Sequence, residues 1–459
     1  MKHIGFRFLP ALLCSLCVVC LAPWGQASRG QAASEQSDDC LALVIDLLRS
    51  GEPAMQAVAM SMVRELPGAE ITKALVKELP NLSPAAQIQL LSALADRGDR
   101  TALPAVISAT KAKEPAVRIA ALKALGQLGD ASTVALLAQT AADSKAEEQK
   151  AARESLYRLR GQKVDEAILA EIPKAESKVK VELIRAVAQR NITAGVETLL
   201  KTAQEPDSQV QRESFKVLRV IADEKYMPAL LELLLKVKSA SVRSEAEKTI
   251  AAVAERIEDK NHQADAVLAV LPKATDIHQR CSLLNVLGRI GHDSALPAIR
   301  KALNSDSAEE QTAAIRALST WPNPEPLADL LEVAKSSGNQ IHRILALRGF
   351  VRLLGLKSDR SADETIRLYQ QAMALATNTS EKKMVLSGLS YEKSLAALEV
   401  AASYLQDKTL QREAEVAVVK IAEATFESHP KQTKDILDKI IQTSSSVLLR
   451  KLAQKIIKQ

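Results

Sequence analysis

The chain repeats itself every 31 residues. Gln56, Gln87, Arg118, Gln149, Lys180 and Gln211 stand 31 residues apart, and each is followed seven positions later by an aliphatic residue: Val63, Leu94, Leu125, Leu156, Val187 and Leu218. With small slips the register continues through Arg243 with Ile250, Arg280 with Leu287, Gln311 with Leu318 and Arg343 with Phe350, then loosens to Lys382 with Leu389 and Gln411 with Val418. A fixed period of this length marks a solenoid, because one unit is too small to bury its apolar face alone and must stack on its neighbours.

Thirty-one residues accommodate two helices of about three turns and two short turns. The segment from Thr101 to Thr110, with Ala102, Leu103, Val106 and Ile107 at helical spacing, reads as the first helix of one unit. The second starts near Glu114-Pro115 and ends between Gly126 and Gly129, with proline in the first turn and glycine as a C-terminal cap. Composition agrees. Aromatic residues are 3% of the chain, and only 16 glycines and 17 prolines occur in 459 residues, which leaves little material for strands and their turns. The expected fold is all-α: a right-handed α-α superhelix of about a dozen helix pairs, on the order of 100 Å long if layers stand about 8–10 Å apart.

The run Ala102-Leu103-Pro104-Ala105-Val106, a polar turn, and then Ala116-Val117-Arg118-Ile119-Ala120-Ala121-Leu122 resembles the short bacterial HEAT repeat first described in phycobilin lyases. Ser294 to Ile299 followed by Ala313 to Leu318 matches equally well, and the resemblance covers most of residues 36–356. The segments 317–350 and Glu381 to Leu389 resemble exported HEAT-repeat proteins of planctomycete-like bacteria, some of which also carry a sugar-hydrolase-like or sugar-dehydrogenase-like domain. Such repeats imply an architecture and serve lyases, adaptors and scaffolds alike.

Residues 1–27 read as a secretory signal. Lys2, His3 and Arg7 precede the apolar run Phe8 to Pro23, and Gly25-Gln26-Ala27 supplies small residues for cleavage. The mature chain, periplasmic or secreted, then holds residues 28–356 as the solenoid and 357–459 as divergent helical repeats continuing it. Two polar stretches lengthen the period, 255–263 and 355–361, and both read as surface loops. Cys14, Cys17 and Cys20 fall in the signal, and Val18-Val19 argues against lipid attachment at Cys20. Cys40 and Cys281 lie about seven repeats apart, too far for a disulfide. The net charge of +6 falls to about +4 without Lys2 and Arg7, too mild to argue nucleic-acid binding.

The face of the second helices away from the apolar stripe carries the candidate site. At the Lys123 position the series reads Lys123, Glu154, Arg185, Lys216, Lys248, Asn285, Arg316 and Arg348; the Gln127 position adds Arg158, Arg289 and Arg352. In HEAT-like solenoids second helices line the concave surface, so Arg185, Lys216, Lys248, Arg289, Arg316, Arg348 and Arg352 form a broken basic ladder there. Its functional reading is a docking groove for an acidic protein segment or an anionic polysaccharide. Its plain reading is a solvated helix face with salt bridges.

Other candidates read as structure. Trp321 occupies the core position of Leu128, with Pro322 ending its helix; His278 and His292 lack a third ligand; Gly388-Leu-Ser390-Tyr-Glu392 lacks the second glycine and the strand of a nucleophile elbow. No P-loop, dinucleotide fingerprint or HExxH is present. The sequence therefore points to a non-catalytic exported scaffold with no cofactor and no metal, binding a protein partner or an anionic polysaccharide, without a transmembrane segment in the mature chain. One alternative is an accessory subunit of a periplasmic carbohydrate-processing or redox enzyme, on the resemblance of residues 317–389. Another is a catalytic site within 357–459, marked by converging titratable groups in a deep pocket.

Overall fold

The computed structural model describes residues 29–161 and 163–458; the segment read as an export signal, with Cys14, Cys17 and Cys20, lies outside them. All regular structure among the described residues is helical. The chain falls into two compact units, one up to Thr202 and one from Ala203 onward. The first unit contains α1 (Arg29–Arg49), α2 (Pro53–Glu65), α3 (Ala69–Glu78), α4 (Pro84–Arg97), α5 (Leu103–Ala109), α6 (Pro115–Leu128), α7 (Val134–Asp143), α8 (Ala146–Arg158), α9 (Val164–Glu171), α10 (Ser177–Gln189) and α11 (Val196–Thr202). The second contains α12 (Ser208–Ile221), α13 (Met227–Lys236), α14 (Ala240–Ala254), α15 (Asp265–Val270), α16 (Ile277–Ile290), α17 (Leu296–Leu303), α18 (Ala308–Ser319), α19 (Leu327–Ser336), α20 (Gln340–Leu354), α21 (Ala362–Leu375), α22 (Thr379–Leu389), α23 (Leu395–Ala402), α24 (Gln411–Thr425), α25 (Pro430–Thr443) and α26 (Val447–Ile457).

Even-numbered helices are the second members of the pairs and stack on one another within each unit: α2 on α4, α4 on α6 and α6 on α8 in the first, then α12 through α26 in the second. The stack runs on across residues 356–357, where α20 packs against both α21 and α22. The aliphatic series of the repeat is its spine. Val63, Leu94, Leu125, Leu156 and Val187 in the first unit, and Leu218, Ile250, Leu287, Leu318, Phe350, Leu389 and Val418 in the second, are all at most 1% exposed. Burial of each such side chain is worth about 1.5–3 kcal/mol relative to exposure.

The polar member of the 31-residue motif clasps a turn. Gln56 donates to the Leu48 carbonyl, Arg118 to those of Ala112 and Lys113, Gln149 to Ala141, Arg243 to Val237 and Lys238, and Gln311 to Ser305. Each satisfies carbonyls left over between the first and second helices of its own repeat. An arginine near the end of the second helix makes the next join. Arg97 reaches the carbonyls of Val63, Leu66 and Gly68, Arg190 those of Tyr157 and Leu159, Arg256 those of Arg219 and Ala222, and Arg352 those of Ser319 and Trp321. A cation there meets the negative end of the previous repeat's second helix.

Small residues set how closely second helices approach. A Cβ added at Gly126 would stand 3.0 Å from Ser155 Oγ, and one added at Gly288 would stand 2.5 Å from the Cα of Ala317. Gly126 is therefore an interior contact of α6 rather than the expected cap; the cap is Gly129, extended at φ −67° with its N–H on the Leu125 carbonyl. The expected helix from Thr101 begins instead with a 3-10 turn over Arg100–Ala102, because the Asp99 carboxylate accepts the Thr101 N–H and holds the chain in a tight turn before α5. Asp130, Asp223 and Asp259 repeat this device. Trp321 is fully buried as expected, but α18 ends at Ser319, two residues before it. Both long inserts are connections: 255–263 between α14 and α15, and 355–361 between α20 and α21.

Candidate functional site

A concavity of about 910 Å³ opens on the exposed side of α12, α14, α16 and α18 in the second unit. Arg219, Arg243, Lys248, Arg289 and Arg316 line it, against the carboxylates of Glu247 and Glu255. The groove therefore brings together three of the seven ladder residues (Lys248, Arg289 and Arg316) and adds Arg219 and Arg243, which the ladder positions did not include. Arg219 falls where other repeats have Gly126, Gly288 or Ser319, and a long cation among small residues was the signal that could have found it.

The ladder residues differ in what holds them. Lys248 and Arg219 share Glu245, at 2.8 and 2.7 Å. Burial opposes the charge on Glu245, but Lys248 and Arg219 outweigh it and hold the carboxyl below its ordinary value. Lys216 pairs with Glu213 at 2.8 Å on the surface of α12, outside the groove lining. Arg185 lies in the first unit, half-buried, and donates to Glu182, which also grips Arg153 through two bonds of 2.6 Å. Arg352 is committed to the carbonyls at the end of α18. Arg289, Arg316 and Arg348 are exposed, and among the described residues their guanidinium groups make no hydrogen bond or ion pair. The equivalent face of the first unit between α4 and α6 is lined mostly by Ile88, Ala95, Ile119 and Ala120, with Lys123 as its cation.

The floor holds a buried carboxylate. Glu247 is 6% exposed, and Asn285 donates to its Oε1 at 3.2 Å. Burial pushes its carboxyl above the ordinary range, against the lowering influence of Asn285, Arg289 and Arg243. A carboxyl with a raised native pKa keeps its proton longer in the folded state, so stability falls as pH rises from the ordinary carboxylate range through the raised value. Glu247→Gln, which keeps an acceptor for Asn285, is expected to gain stability relative to the parent between about pH 4 and about pH 7. Urea midpoints at the two pH values check this; a variant that loses ground as pH rises refutes it.

The same wall carries Cys281, half-buried, with its thiol pushed up to about 11 by burial and by the nearby Glu310 and Glu309. A thiol that stays protonated at neutral pH is no nucleophile. Ser390 closes α22, its hydroxyl donating to the Ser387 carbonyl at 2.7 Å. Among the described residues no three His, Cys, Asp or Glu side chains converge to hold a metal, and no helix is long and apolar enough to cross a membrane. In the C-terminal repeats Tyr369, 1% exposed, is raised by burial and by nearby Glu392, while Arg360 favours its charged form. These three groups do converge, but Tyr369 is packed beside Gly388 in the core.

The repeat structure is matched by sequence models as well as by geometry. The model described as HEAT repeats matches residues 72–157, 166–251 and 264–350, more than half of the chain. The chain belongs to the HEAT-repeat family. Among solved structures, this HEAT-repeat chain is similar to the karyopherin Kap121p bound to the SUMO protease Ulp1p (TM-score 0.56, 11% identity, 98% of this chain and 55% of that one). It is similar also to Kap121p bound to Nup53p (TM-score 0.54, 11% identity, 99% and 57%) and to Kap121p bound to RanGTP (0.51, 11%, 98% and 56%). The HEAT-repeat chain thus spans little more than half the length of these karyopherins, and at such identities the likeness is one of fold. No curated protein matches the sequence.

Proposed function

We propose that this HEAT-repeat chain is a non-catalytic scaffold, exported through residues 1–27, that holds an acidic segment of a protein partner against the basic groove of its second unit, the concave side of the solenoid. The observation that carries the reading is the charge of that groove. Five cations line it against two carboxylates, one of them buried on the floor, and neither Arg289 nor Arg316 makes a hydrogen bond or ion pair among the described residues. An array of helix pairs presents a broad shallow surface of this kind, suited to a polymer or another protein. The similar karyopherin structures, solved with protein partners bound, support a protein over a small molecule as the occupant.

Charge reversal tests it. Arg316→Glu together with Arg348→Glu should weaken capture of a partner from the native envelope fraction at least tenfold at low salt, because rim charges act through long-range attraction that salt screens. Both side chains are exposed and unpaired among the described residues, so helicity and melting should not change. Capture that is undiminished at low salt removes the groove from the function. Recovery of the chain with its first 27 residues intact, in the cytoplasmic fraction, removes the export.

A further inference from the structure

Four glutamates are buried among the described residues, and three of them are well held. Glu182 accepts from Arg153 and Arg185, Glu381 from the Thr377 N–H and hydroxyl and from Asn378, and Glu415 from Gln411 and Ser444. Glu247 is the exception. At 6% exposure it has the Asn285 amide at 3.2 Å and the Ser282 hydroxyl, and it makes no ion pair among the described residues. It is also the one of the four that lines the basic groove.

Two cations face Glu247 without pairing with it. Arg243 donates to the Val237 and Lys238 carbonyls, and Arg289 is exposed on α16. Burial opposes the charge on Glu247, and these arginines favour it. An anion that settles in the groove beside Arg289 shifts this balance in two ways. It draws on the positive charge that supports the carboxylate, and it sets a second negative charge nearby. Both effects favour the neutral acid.

The groups around Glu247 differ from it in this respect. Guanidinium groups do not titrate at any working pH. Glu245, despite its burial, is held below its ordinary value by Lys248 and Arg219, and burial pushes the Cys281 thiol up to about 11, so neither changes charge near neutral pH. His278 and the exposed Glu255 complete the titratable lining.

Resting on the reading of the groove as a site for an acidic protein segment, we infer that Glu247 couples its occupation to a proton. The segment binds as one proton passes from solvent to a carboxyl oxygen of Glu247, which leaves the groove uniformly basic on its floor. Affinity is then tighter on the acidic side of neutrality and weaker on the alkaline side.

The test uses the full-length mature chain and a labelled 15-residue peptide alternating cysteic acid with glycine, whose sulfonates stay charged throughout, read by fluorescence anisotropy at constant low salt. Affinity should rise about tenfold as pH falls from about 8 to about 5.5, within the usual range for coupling between two sites. Glu247→Gln should bind at about pH 8 as tightly as the parent does at about pH 5.5, and lose the slope. His278→Gln and Glu255→Gln should keep it. Calorimetry near neutral pH in two buffers of different ionisation enthalpy should find net proton uptake on binding to the parent and none with Glu247→Gln, a readout that needs no comparison of variant stabilities. A flat parent profile, no proton uptake, or a slope that survives in Glu247→Gln and disappears in His278→Gln or Glu255→Gln overturns the coupling while the acidic-partner reading stands. No binding at any pH, or binding that Arg316→Glu leaves undiminished, overturns both.

Discussion

Replacing Trp321 with alanine should cost the second unit about 3–5 kcal/mol, the range for deleting a large aromatic from a packed interior. The indole is fully buried, and its Nε1 donates to Asp293 Oδ1 at 3.0 Å. Asp293 opens the 3-10 turn before α17, so one side chain ties the end of a second helix to the start of its own repeat's first helix. Alanine leaves a cavity the size of the ring system and removes one donor from Asp293, which still accepts from Asn323 at 3.0 Å. Trp321→Phe separates the two effects. It keeps most of the packing and loses the N–H donation, and should cost nearer 1 kcal/mol beyond its smaller volume. Urea unfolding followed by circular dichroism measures both. An alanine variant within 1 kcal/mol of the parent would mean that the indole is not holding this joint.

The elements that were legible in the sequence are those written in a repeating register. The aliphatic row from Val63 to Phe350 is periodic, and so are the pairs that it spans; the divergent residues 357–459 are helical as expected, ending in the pair Pro430–Thr443 and Val447–Ile457. Residues whose job is set by a neighbouring repeat were harder to read. Arg118 and Gln149 were visible as a recurring pattern, yet nothing local says that such residues clasp carbonyls. Arg352 looked like a surface cation for the same reason that Arg316 did, and only the position of the Ser319 and Trp321 carbonyls separates them. The groove was half legible. Lys248, Arg289 and Arg316 follow the helical ladder, whereas Arg219 and the buried Glu247 enter through close packing of adjacent layers, which a one-dimensional period does not encode.

Gly288→Ala should destabilise the second unit by about 2 kcal/mol, against the ordinary preference of a helix for alanine. In the interior of α16 the substitution would by itself gain up to about 1 kcal/mol. The new methyl, however, would lie 2.5 Å from the Cα of Ala317 and 2.6 Å from its Cβ. The first obstacle is backbone, so no side-chain rotation relieves it and α18 must move outward from α16. Gly126→Ala should cost less, because the nearest backbone atom there is 3.1 Å away and the nearest atom of all is a serine hydroxyl. Gly338→Ala, with nothing within 4 Å, should be neutral within about 0.5 kcal/mol. Adding Ala317→Gly to Gly288→Ala should recover only part of the loss, since it clears the Cβ and leaves the Cα. Urea midpoints for the four variants give the order. Full recovery in the double variant would show that the clash is with the Ala317 side chain alone and not with its backbone.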